Sequence, residues 1–86
     1  MSWNIESFRE KLESEHTFPG LYLFKFIVPL ERKDEVLKIL PRGEVSMKES
    51  SRATYVSITL KAQVIESQQV IDIYSRAYQI EGIVAL

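Results

Sequence analysis

A chain of 86 residues with a net charge of −1 has room for one small domain and carries no overall pull toward phosphate or anionic lipid. Apolar residues at 45% and charged residues at 27% are ordinary for a soluble globular protein. There is no cysteine, which removes disulfides, thiolate metal sites and a cysteine nucleophile together. That cysteine usage, and an N-terminus (Met1-Ser2-Trp3-Asn4-Ile5) without the pattern of a signal peptide, suit the cytoplasm. No membrane span is expected: the apolar-rich run from Leu21 to Leu30 is interrupted by Lys25 and Pro29 and is far short of the ~20 residues required.

In chain order, Asn4 is placed to cap a first helix that runs to about Glu13. Ile5, Phe8 and Leu12 form a narrow apolar stripe on it, so this short helix needs a surface to dock on. Phe18-Pro19-Gly20 punctuates a turn. Leu21 to Val28 then reads as a strand rich in aromatic and β-branched residues. Lys25 sets its phase: Tyr22, Phe24, Phe26 and Val28 face the core, and Leu21, Leu23, Lys25 and Ile27 face the open side.

Pro29 ends the strand, and a helical pattern from Leu30 or Glu31 carries Val36, Ile39 and Leu40 until Pro41 and Gly43 stop it. Glu44 to Glu49 alternates and reads as an edge strand guarded by its charges. After a turn at Ser50-Ser51-Arg52 comes the central strand, Thr54 to Ala62. Thr54, Val56, Ile58, Leu60 and Ala62 share its dry face, and Tyr55, Ser57, Thr59 and Lys61 share the other. Ser67 reads as the cap of an amphipathic helix bearing Val70, Ile73, Tyr74 and Ala77. Glu81-Gly82 breaks it, and Ile83 to Leu86 is a final strand.

A helix followed by β-α-β-β-α-β predicts an α+β, ferredoxin-like sandwich. Its four-stranded antiparallel sheet has the order 4-1-3-2, with two helices on one face and the N-terminal helix as an addition. One domain spans 1–86, with 1–16 as a helical extension and 18–86 as the core.

Several segments together resemble the YbeD-like family, small uncharacterised proteins with an ACT-like ferredoxin fold. They are Phe18-Pro19 with the Lys25 strand, Ser50-Ser51 leading to Tyr55-Val56-Ser57-Ile58-Thr59, Ile73-Tyr74, and Ile83-Val84-Ala85-Leu86. The resemblance implies the fold and a regulatory or binding character, with no mechanism. ACT-like domains commonly bind amino-acid-like effectors where two sheets meet, at a glycine-bearing turn after the first strand. Here that turn is Pro29-Leu30-Glu31-Arg32, without glycine.

The chemistry-bearing residues are sparse. His16 is the sole histidine and reads as a solvated loop residue, since no second histidine or cysteine could join it on a metal. The carboxylates show no paired spacing, and only Gly20, Gly43 and Gly82 exist to build a phosphate loop. An enzyme is not expected, nor a cofactor. RNA-recognition modules share the βαββαβ plan, but this chain lacks their glycine–aromatic signature ahead of Tyr55 and puts the aromatics of its first strand on the core side, so nucleic acid is disfavoured.

The expected interaction surface is therefore the open sheet face: Leu23, Lys25, Ile27, Tyr55, Ser57, Thr59 and Lys61, with Ile83 or Ala85 nearby. It would serve a non-catalytic regulatory or protein-interaction module that takes a protein partner or a second copy of itself. An ACT-type small-molecule sensor at a subunit interface is the alternative, and RNA binding the third reading. Whether the N-terminal helix, anchored by Trp3, folds over this face or leaves it bare is open at the level of sequence.

Overall fold

A computed structural model of the chain describes residues 4–50, 52 and 54–85. Trp3 as an anchor, Ser51 and Ala53 ahead of the central strand, and Leu86 as the last strand residue lie outside the described residues. The elements are α1 (Ile5–Glu15), β1 (Gly20–Pro29), a single 3-10 turn (Leu30–Arg32), α2 (Lys33–Ile39), β2 (Glu44–Glu49), β3 (Tyr55–Val64), α3 (Ser67–Ala77) and β4 (Val84–Ala85). The fold is α+β: three helices and a four-stranded antiparallel sheet in the order β2-β3-β1-β4. Counted from the opposite edge, the same order runs β4-β1-β3-β2.

The two long central strands carry the core. Tyr22 pairs with Ala62, Phe24 with Leu60, Phe26 with Ile58 and Val28 with Val56, so the dry faces of β1 and β3 coincide. Phe24, Phe26, Val28, Ile58 and Leu60 are fully buried beneath the helices. Val70, Ile73, Tyr74 and Ala77 of α3 and Val36 of α2 close over them, as their helical spacing predicts. The central strand begins one residue later than expected and ends two residues later, at Val64; Thr54 is exposed and lies outside it. The second helical segment opens as a 3-10 turn, because Pro29 and Leu30 must still leave the sheet before regular helix geometry begins.

Two local expectations change. Ser67 is the first residue of α3 rather than its cap; the cap position is Glu66, and its side chain makes no capping bond. Instead the Gln69 side chain accepts from the Ile65 N–H at 2.6 Å, and the Ser67 hydroxyl donates to the Glu13 carboxylate of α1 at 2.7 Å. The last strand is shorter than the four residues expected. Gly82 turns at φ 81°, with Pro29 so close that a Cβ there would meet its ring at 2.8 Å, and among the described residues Val84 and Ala85 then pair with β1, opposite Ile27 and Phe26.

α1 is capped as predicted by Asn4, whose Oδ1 accepts from Ser7 N–H at 3.0 Å, and extends to Glu15. Leu12 is 2% exposed within the core, and Phe8 meets Tyr74 edge-on at 5.1 Å. Arg9 donates to Gln68 at 2.7 Å beside the Ser67–Glu13 bond. α1 therefore docks on α3, in the helical layer, and does not fold over the open face of the sheet.

Candidate functional site

The open face follows from the register. β1 presents Leu21, Leu23, Lys25 and Ile27, and β3 presents Tyr55, Ser57, Thr59 and Lys61. Leu23 lies opposite Lys61, Lys25 opposite Thr59, Ile27 opposite Ser57, and Tyr55 opposite Pro29. The two lysines are thus diagonal neighbours, roughly 7–8 Å apart at the backbone. β2 extends the same face with Glu44 opposite Lys61, Ser46 opposite Thr59 and Lys48 opposite Ser57.

Every residue of the sequence-derived surface lies on this face. Leu23, Lys25, Thr59 and Lys61 adjoin one another, Ile27 and Ser57 continue the row, and Tyr55 closes it at the far end. The β4 contribution differs from expectation. Val84, opposite Ile27, is the residue on the open side, whereas Ala85 pairs with Phe26 on the core side and Ile83 is half-buried against the core. One residue of register decides this, since neighbours along a strand point to opposite faces.

Leu21 is 62% exposed and Leu23 57%, with Val84 and Tyr55 about half exposed. An apolar ridge along β1 and β4 is therefore left in solvent. Among the described residues no ion pair engages Lys25, Lys48 or Lys61, and Glu44 is the single acid beside them on this face. The ion pairs that do form lie elsewhere: Glu6–Arg9 on α1, and Arg32 with Glu35 and Glu81 at the start of α2. The guanidinium of Arg32 is pushed further above its usual range by its hydrogen bond to Glu35.

On the opposite side, α1, the start of β1 and α3 enclose an open cleft of about 300 Å³. Lys11, His16, Tyr22, Tyr74 and Tyr78 line it together with apolar side chains. His16 is exposed, as expected of a loop histidine, but its ring lies 5.0 Å from that of Tyr22. Burial, and then a hydrogen bond with Tyr22, push the Tyr74 hydroxyl far above the ordinary tyrosine range, so it stays protonated at physiological pH. Sequence reasoning counted Tyr22 and Tyr74 as core and missed the cleft. The available signal was the i,i+4 spacing of Tyr74 and Tyr78, which puts two hydroxyl-bearing rings on one side of α3.

Among the described residues no cluster of His, Asp and Glu is placed to hold a metal ion, and no helix is long and apolar enough to cross a membrane. The model of a family described as "Protein of unknown function (DUF493)" matches residues 13–86. The chain belongs to this family. No curated protein and no solved structure matches it. The DUF493 match begins inside α1, at Glu13, and takes in the whole sheet, α2 and α3, and hence the open face.

Proposed function

We propose that this DUF493 protein is a non-catalytic interaction module that binds a protein partner through the open face of its sheet. The observation that carries the reading is the position of α1. Among the described residues α1, the helix outside the core motif, is docked on α3 and leaves Leu21, Leu23, Ile27 and Val84 uncovered. An apolar ridge flanked by unpaired lysines favours a partner surface that is itself apolar and acidic, with the ridge supplying buried area and the lysines orientation. We take the arrangement as ferredoxin-like and ACT-like, within the YbeD-like grouping and acting in the cytoplasm. Protein is favoured over RNA because Tyr55 is the only aromatic on this face among the described residues, while Tyr22, Phe24 and Phe26 point into the core.

The test places a photo-reactive residue at Leu23 and, as a control, at Glu10 on the exposed side of α1, in cells that make the protein. The reading expects a discrete adduct from position 23, absent from position 10 and lost when Lys25 and Lys61 are both changed to Glu. Equal labelling at both positions, or an adduct indifferent to the charge reversal, would overturn it.

A further inference from the structure

The β2 edge carries an arrangement independent of the open-face reading. β2 is exposed along its whole length, and no described strand pairs with its outer side. Its sequence is Glu44-Val45-Ser46-Met47-Lys48-Glu49. Cross-strand partners share a face, so Val45 and Met47, opposite Leu60 and Ile58, belong to the helical side. They are nevertheless 44% and 48% exposed, because α2 and α3 do not reach the edge.

The backbone polarity of this edge follows from one hydrogen bond. Ser50 N–H donates to Tyr55 C=O at 2.9 Å, in register with the β2–β3 pairing. In an antiparallel ladder the bonded residues alternate. Ser46 and Lys48 therefore bond inward to β3, and Val45 and Met47 turn their N–H and C=O groups outward.

An exposed edge of this kind is a template for another strand, and charged side chains usually exclude one. Here the charges exclude most registers and suit one. When two β2 strands meet antiparallel about a two-fold axis at Ser46, Glu44 falls opposite the partner's Lys48, and Val45 opposite the partner's Met47. The outward N–H and C=O groups of Val45 and Met47 then meet as hydrogen-bonded pairs. Moving the axis to Met47 sets Val45 against the partner's Glu49 and leaves Glu44 against the partner's Ser50. Moving it to Val45 sets Arg42 against the partner's Lys48. Opposite charges directly across a ladder stabilise it and like charges oppose it. In the Ser46 register Glu44 also lies between its own cross-strand neighbour Lys61 and the partner's Lys48.

We propose that β2 pairs edge to edge with a second copy of this chain, on a two-fold axis at Ser46, to make a continuous eight-stranded sheet. The occupant is a second copy rather than an unrelated strand because the complementarity is internal to β2: the same five residues, 44–48, supply both sides of every pair. The pairing covers Val45 and Met47 and leaves both open faces side by side on one surface.

Two measurements on the full chain test this. Sedimentation of the wild type should show a dimer, and Lys48→Glu and Glu44→Lys should each weaken it about tenfold by setting like charges opposite one another twice. The double exchange Glu44→Lys/Lys48→Glu should restore it. In the cysteine-free background, Ser46→Cys should form a disulfide-linked dimer on mild oxidation, since non-hydrogen-bonded pairs sit about 4.5 Å apart at Cα, within disulfide reach. Glu10→Cys, on the exposed side of α1, should not. A wild type that stays monomeric, a double exchange no better than either single change, or cross-linking equal at positions 46 and 10 would each overturn the pairing. A dimer dissociated by Lys25→Glu but indifferent to Lys48→Glu would also overturn it, placing self-association on the open face.

Discussion

The position of α1 decides which surface is free, and Leu12 is where that position is most exposed to test. Its side chain is 2% exposed in the core, whereas Ile5 on the same helix is 40% exposed. Leu12→Ala removes buried carbons worth roughly 0.8 kcal/mol each, about 2.4 kcal/mol in transfer, and adds a cavity term, for a total of about 3 kcal/mol. A domain of this size has only about 4–13 kcal/mol of stability, so the loss is a large share and corresponds to about 12–24 °C in Tm. Ile5→Ala should cost less than about 1 kcal/mol. Urea unfolding followed by circular dichroism measures both. Exchange of the His16 amide, which donates to the Leu12 carbonyl at 2.9 Å, distinguishes undocking of α1 from unfolding of the whole. If Leu12→Ala matched Ile5→Ala in both stability and exchange, α1 would not be held on α3 and would be free to cover the open face.

Tyr74 links the core to pH. Burial raises its folded-state pKa above the ordinary 10.0, so its contribution is present in full below about pH 10 and is lost as pH rises toward the folded value. Stability should therefore fall on the alkaline side and fall less steeply in Tyr74→Phe, read by urea midpoints across alkaline pH; identical slopes would contradict the assignment. At Gly43 an added Cβ would lie 2.4 Å from the Lys61 carbonyl oxygen, so Gly43→Ala must shift backbone where β2 begins. We expect a loss of about 1–3 kcal/mol in thermal or urea unfolding, and a variant as stable as wild type would refute that close approach.

Alternation and helical spacing are local properties, and they were legible without coordinates. Lys25 was enough to phase β1, and the phase put Tyr22, Phe24, Phe26 and Val28 beneath the helices and Leu21, Leu23 and Ile27 outside. The stripe of Val70, Ile73, Tyr74 and Ala77 identified the buried side of α3 in the same way. A strand or helix with one apolar side has a single way to bury it, so these residues carry their own placement.

Other features depend on which elements become neighbours, and pattern alone is silent about that. Ser67 has the chemistry of a helix cap, yet Glu13 of α1 lies within reach of its hydroxyl and takes the bond. Val84 rather than Ala85 faces outward because the turn at Gly82 sets the register of β4 against β1. The stripe of Ile5, Phe8 and Leu12 required a docking surface without specifying one; α3 supplies it, with Phe8 edge-on to Tyr74 and Leu12 buried in the core. Sequence by itself determined which face of each element is dry, because that is encoded every second or every third to fourth residue. Only the tertiary structure decided which dry faces meet and which outward face stays uncovered, because that choice rests on contacts between segments far apart in the chain.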